Sequence, residues 1–222
     1  MRRIPANALA ATGWLLLMGP AWAEVPMAVV EYVEGRLPGV EFMDYVAAGK
    51  VIRLGPRDVV VLGYLKSCWR ETITGGTVTV GTEQSVVQGG KVERNQVKCD
   101  GGRIQLSAEQ AVQSAGVVSR GLNLTAAGPE PQVTLYGRVP IIEVKGAGTL
   151  LIERLDQPDE RFEIPIDSRQ LVRGSFFDLA RANRVLTAGA LYRAKFAARE
   201  IVFKVDPAAP ASAPIVARLL RF

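Results

Sequence analysis

The side chains able to act on a substrate are few in kind, and histidine is missing altogether from the 222 residues. That absence removes Ser-His-Asp and Cys-His nucleophiles, His-Glu-x-x-His zinc hydrolases, Cys2His2 sites, histidine-ligated haem and every imidazole acid or base. No serine is followed three positions later by lysine, Ser85, Ser107, Ser119 and Ser168 included, so the Ser-Lys dyad of penicillin-binding enzymes has no candidate. Gly-x-Ser-x-Gly, phosphate-loop and Gly-x-Gly-x-x-Gly patterns are likewise missing. What survives is carboxylate-pair chemistry of the glycosidase kind, for which the 22 Asp and Glu residues are scattered along the chain. Spacing therefore singles out no catalytic residue, no cofactor-binding set and no metal ligands.

The remaining reactive groups are the two cysteines, Cys68 and Cys99. A disulfide between them is the economical reading if the chain is exported, since the count is even and no other thiol competes. The loop so closed would restrict the unfolded chain by roughly 3 to 4 kcal/mol on the entropy account. The rival reading, Cys68 as a nucleophile, lacks a histidine to raise its thiolate fraction.

Export is what residues 1–23 announce. Arg2 and Arg3 form a basic start, Ala8 to Met18 a short apolar run, and Ala21-Trp22-Ala23 the small-x-small cleavage pattern of a secretory signal peptide. The run falls well short of the roughly 20 residues that span a hydrocarbon core, although an uncleaved anchor is the alternative. No cysteine near the cut offers a lipid attachment point. The expected mature chain begins at Glu24, is soluble and has no transmembrane span. Its Ala, Val, Arg and Gly usage looks bacterial, which makes the destination the periplasm or the exterior.

Losing Arg2 and Arg3 lowers the formal net charge from +5, and the remaining excess is dispersed, against the pattern of a nucleic-acid protein. Apolar content of 48% with 22% charged residues suits a packed core.

The elements that must position any site read as mainly β, in two small β-rich domains with one short helix each. The first, residues 24–125, is a meander or roll. Val51-Ile52-Arg53-Leu54, Gly55-Pro56-Arg57-Asp58 and Val59-Val60-Val61-Leu62 read as strand, turn and strand, the second strand buried on both faces. Gly-Gly pairs recur at 75–76, 89–90 and 101–102, each permitting a reversal, and Thr77-Val78-Thr79-Val80 places valines on one face and threonines on the other. Ser107-Ala-Glu-Gln110 is a capping box for a helix to about Ser114. Asn123-Leu124-Thr125 matches a glycosylation acceptor but is read as chance in a bacterial periplasm.

Residues 126–132, rich in Ala, Gly and Pro, form a linker, and residues 133–222 a sandwich-like sheet. Strands are expected at Val133–Tyr136, Ile141–Val144, Thr149–Arg154 and Phe162–Ile166, and Leu191–Phe196 and Glu200–Val205 alternate as adjacent antiparallel strands do. Ser175 and Asp178 suggest a cap for a helix from Phe176 to Asn183, and Ile215–Phe222 a last strand after an extended Ala/Pro-rich tail. The terminal Phe222 also admits an outer-membrane barrel, which the closely spaced glycines and 7% aromatic content disfavour.

From Tyr45 through Gly55-Pro56-Arg57-Asp58-Val59-Val60-Val61-Leu62-Gly63 to Val80, the succession of short strands and glycine turns resembles the periplasmic β-domain of FecR-like proteins. The resemblance implies a β-rich binding or scaffold role in the envelope. The chain departs from that family in having a leader in place of a cytoplasmic segment and membrane helix. The insertion Tyr64-Leu-Lys-Ser-Cys-Trp-Arg-Glu71 also lies outside the family pattern, so sigma-factor regulation is not carried over.

Tyr64, Trp69 and Arg70, beside Cys68, are the candidate binding surface, because Trp and Arg are the types that anchor interfaces. The alternative is that Trp69 packs on the disulfide in the core. Arg169, Arg173, Arg181, Arg184 and Arg193 form a basic stretch suited to anionic lipid or glycan, or simply to solvent. The expected function is thus an exported, non-enzymatic module that binds an envelope protein or polymer. The alternative is a carboxylate-dependent enzyme acting on a cell-wall glycan.

Overall fold

The computed structural model describes residues 25–101, 129–157 and 159–222. The leader, the helix expected from Ser107, the Asn123 acceptor and linker residues 126–128 lie outside the described residues.

The chain is mainly β. Six strands form the first sheet: β1 (Pro26–Glu34), β2 (Tyr45–Ala47), β3 (Val51–Tyr64), β4 (Trp69–Thr79), β5 (Val86–Gln88) and β6 (Lys91–Gln96). They run antiparallel in the order β2-β1-β3-β4-β5, with β6 also on β4. Period-2 alternation of apolar residues directs Ile52, Leu54, Val60, Leu62, Ile73 and Val78 to one core. From Val60 to Leu65 the chain is buried on both faces, as the unbroken apolar run implies.

Gly55–Asp58 is a bulge inside one long strand, not the expected hairpin turn. Leu54 pairs with Gly76 and Val59 with Thr74, so β3 carries extra residues against β4 while staying in the sheet. The Asp58 carboxylate accepts from Gly55 N at 2.8 Å, which satisfies the donor that the bulge displaces. The true hairpin is the β3–β4 turn through Leu65 to Cys68.

The glycine pairs at 75–76 and 89–90 also do not reverse the chain. Thr77 pairs with Gln88 and Thr74 with Lys91 in one continuous register, which sets Gly76 opposite Gly89 and Gly75 opposite Gly90. β5 and β6 are thus one edge strand, kinked where two glycine pairs face each other. A methyl on Gly90 would lie 2.1 Å from Gly75 O, and one on Gly76 2.4 Å from Gln88 O. Backbones approach so closely here that side chains have no room. Across this seam the core-facing positions switch from Glu71 and Ile73 to Val78 and, just past the end of β4, Val80.

The remaining strands are β7 (Val133–Leu135), β8 (Ile141–Glu143), β9 (Gly148–Arg154), β10 (Arg161–Ile166), β11 (Phe176–Asp178), β12 (Leu191–Phe196), β13 (Arg199–Val205) and β14 (Leu219–Arg221). They make a five-stranded sheet, β10-β9-β12-β13-β7, and a three-stranded sheet, β11-β8-β14. β12 and β13 are antiparallel neighbours as the alternation implied, whereas β7 joins β13, and β14 joins β8, in parallel. Leu150, Ile152, Tyr192 and Phe203 of the larger sheet share a core with Ile142, Phe177 and Leu220 of the smaller.

The helix expected over Phe176–Asn183 is instead a strand followed by a 3-10 turn, Leu179–Ala182. Phe176 and Phe177 pair with Glu143 and Ile142 of β8, and the cap is Asp178, whose side chain accepts from Ala180 N. Burying two phenylalanines against β8 outweighs a weak helical preference. The last strand is also shorter than expected, because Ile215–Arg218 forms one helical turn before β14.

A third core joins the two units. Val29, Met43 and Leu65 of the first pack with Ile141, Phe176, Ile215, Val216 and Leu219 of the second, all buried.

Candidate functional site

The residues brought together around the cysteines belong to the junction between the units. Cys68 sits in the β3–β4 turn at φ 60°, its N–H donating to Tyr64 O at 3.1 Å. It is bonded to Cys99, with Cα atoms 5.6 Å apart. The bond ties the hairpin to the chain leaving β6, and one residue later the Asp100 carboxylate accepts from Thr134 N of β7 at 2.5 Å.

Tyr64 contributes no surface: it is fully buried, shares a 2.8 Å hydrogen bond between its hydroxyl and Ser85 Oγ, and accepts from Gly81 N at 3.3 Å. Burial, reinforced by the Glu71 carboxylate, pushes its phenol up to about 12. Trp69 packs against the first core. Arg70 is a structural partner, its Nε donating to Glu31 Oε2 at 2.7 Å, with its side chain 32% exposed.

Two buried carboxylates organise this region. Glu31, in the β1 irregularity between Val30 and Tyr32, faces Gly63 and accepts from Arg70 and, at 2.8 Å, from Val216 N in the C-terminal helical turn. It therefore joins the first sheet to the end of the chain. Glu71 is wholly buried and accepts from Ser85 N at 3.1 Å through both oxygens and from Arg94 Nε at 2.7 Å, while Arg94 Nη2 donates to Ser85 O. Each buried charge is thus met by a guanidinium and a backbone N–H, the condition under which ionised groups are tolerated inside a protein. Sequence reading passed over both. The usable signal was position: Glu71 lies two residues from Trp69 and from Ile73, on the core-facing side of an alternating strand.

More polar ties cross the junction. Tyr45 Oη donates to Glu143 Oε2 at 2.8 Å, and the guanidinium of Arg221, whose Nε donates to the same oxygen at 2.8 Å from within the second unit, lies over the Tyr45 ring. Burial, aided by Glu143, holds the Tyr45 phenol far above its ordinary value. Arg173 reaches back to Glu41 and Asp44.

The basic stretch is largely neutralised where it stands. Arg169 pairs with Asp167, Arg173 with Glu41 and Asp44, and Arg193 with Glu200, while Arg184 covers the Phe162 ring at 4.9 Å. Arg181 is exposed. Among the described residues no three Cys, Asp or Glu side chains converge as a metal site, and no described helix is long and apolar enough to cross a membrane.

A groove of about 270 Å³ opens where the chain leaving β6 meets the second unit, lined by Val97, Lys98, Tyr136, Asp206, Pro210 and Pro214 with small alanines between. Tyr136 is fixed there by its backbone N–H, which donates to Ala217 O at 2.8 Å. Two wider hollows lie on the second unit, one along the β9–β10 connection and one beside Ile166 and Arg169.

No protein-family model, curated protein or solved structure matches the chain.

Proposed function

We propose that the protein is exported, loses its leader near Ala23, and works in the periplasm or outside the cell as a non-enzymatic module that binds or scaffolds an envelope protein or polymer. The observation that carries this reading is the Cys68–Cys99 bond, a crosslink that persists in oxidising compartments. The shared third core and the Glu31–Val216, Tyr45–Glu143 and Arg173–Asp44 ties support a scaffold role, because they join the units over an apolar, hydrogen-bonded contact. Glu31 and Glu71, the buried carboxylates, are committed to arginines and backbone donors, an arrangement suited to structure more than to proton transfer. The FecR-like pattern, which falls on β2, β3 and β4, points the same way.

Crosslinking in the native periplasm followed by mass spectrometry is expected to capture a defined envelope protein or polymer fragment. Turnover of a cell-wall glycan with no captured partner would overturn the reading in favour of carboxylate catalysis. Recovery of full-length protein with its leader among cytosolic contents would overturn the export it depends on.

A further inference from the structure

We infer that β6 pairs antiparallel with β6 of a second copy of the chain, about a two-fold axis at Val92, so that the first sheets of the two copies join into one. The pairing is independent of what the module binds elsewhere. Every other sheet end is short or blocked: β2, β7, β11 and β14 have three residues each, and β10 contains Pro165. The edge made by β5 and β6 runs from Val86 to Gln96 without a proline, and among the described residues β6 pairs with β4 alone. Val97 N donates to Cys68 O at 3.0 Å, towards the β4 side. Hydrogen-bonding direction alternates along a strand, so Lys91, Glu93 and Asn95 also bond towards β4, whereas Val92, Arg94 and Gln96 turn their backbone N–H and C=O away from it. That open row is what an added strand takes.

Charge complementarity selects the occupant and the register. Val92 packs against the first core, while Lys91 and Glu93 lie on the opposite face, their side chains 75% and 59% exposed and 2.6 Å apart as an ion pair. In a two-fold pair the axis residue faces itself, and its two neighbours face each other across the copies. An axis at Lys91, Glu93 or Arg94 would set like charges directly opposite, which destabilises a sheet. Of the axes along β6, that at Val92 alone sets opposite charges face to face: Lys91 meets Glu93 of the second copy, twice. The ion pair within each copy then becomes half of a ring of four alternating charges. Arg94 falls opposite Gly90 of the second copy, which has no side chain to obstruct it. A lysine alone on an edge discourages self-pairing; the glutamate two residues on reverses its effect.

The test is sedimentation equilibrium on the oxidised mature protein as wild type, Lys91→Glu and Glu93→Lys, two substitutions at exposed positions outside the core. Wild type is expected to dimerise as concentration rises. Each variant alone sets two like-charge pairs where two opposite pairs stood and should dimerise about thirtyfold more weakly. An equimolar mixture of the two variants restores both opposite-charge pairs and should recover the wild-type affinity. Amide hydrogen exchange reads the geometry: Val92 and Arg94 should gain protection with concentration, whereas Glu93 and Asn95 should be protected in dilute and concentrated protein alike. A wild type that stays monomeric to its solubility limit, a mixture no tighter than either variant alone, or Val92 and Arg94 amides equally protected at every concentration would each overturn the inference.

Discussion

Gly89 and Gly90 separate two reasons for a glycine that are usually confounded. Gly89 has φ 67°, yet a methyl there would meet nothing within 4 Å. Gly90 is not among the residues of positive φ, but a methyl there would lie 2.1 Å from Gly75 O, 2.8 Å from Gly75 C and 3.0 Å from Thr74 O. All three are backbone atoms of β4, so no side chain can swing aside. Gly89→Ala therefore incurs only the left-handed penalty, about 1 to 2 kcal/mol, reduced by the lower entropy of the unfolded chain. Gly90→Ala must move the edge strand by about 1 Å from β4 to restore ordinary contact, which breaks or stretches ladder hydrogen bonds on both sides of the kink. At about 1 kcal/mol for each of two or three such bonds, the loss should reach about 2 to 3 kcal/mol, on top of any strain left in the strand. Urea unfolding of the mature variants measures both, and Trp69 fluorescence reports it directly because Trp69 pairs with Gln96 at the far end of the same edge strand. A Gly90→Ala variant no less stable than Gly89→Ala would refute the facing-glycine seam.

The Cys68→Ser/Cys99→Ser variant frees a loop of sequence separation 31 and should lose about 3.7 kcal/mol on the chain-entropy account; differential scanning calorimetry of oxidised and variant protein decides it, and coincident melting would refute the crosslink's role. Glu71→Gln leaves Arg94 half-partnered beside a buried amide and should cost about 2 to 3 kcal/mol by urea titration, with Arg94→Met on the same background costing little more because the pair is already broken. The unfolded chain gives up the Tyr64 proton near pH 10, whereas the folded protein keeps it to about 12. Folding stability should therefore be intact below pH 10 and fall above it by up to about 1.4 kcal/mol per unit, a slope that Tyr64→Phe should flatten in alkaline unfolding curves.

How far the fold was legible follows from what strand periodicity encodes. Alternation reports which face a side chain takes, so Thr77 to Val80 and Leu191 to Phe196 read correctly: valines 78 and 80 and residues 192, 194 and 196 are the buried ones. It does not report whether an interruption turns the chain or merely bends it. Gly55-Pro56 and the glycine pairs carry turn chemistry that serves equally well where two backbones cross closely, and only the partner strand distinguishes the uses. In a ladder the clue is relational: Gly75-Gly76 and Gly89-Gly90 make sense together because the register sets one against the other. The burial of Tyr64 and the pairing of Arg70 were hidden for a similar reason. Tyr64, Trp69 and Arg70 are interface types, but Arg70 stands next to Glu71 and opposite Gly63, and it was the long-range acid, Glu31, that claimed its guanidinium. An arginine's partner 39 residues away in sequence leaves no local mark. The same limit hid Val216, whose buried N–H finds its acceptor on β1, so that the two ends of the described residues are fastened by a carboxylate set in an apolar run.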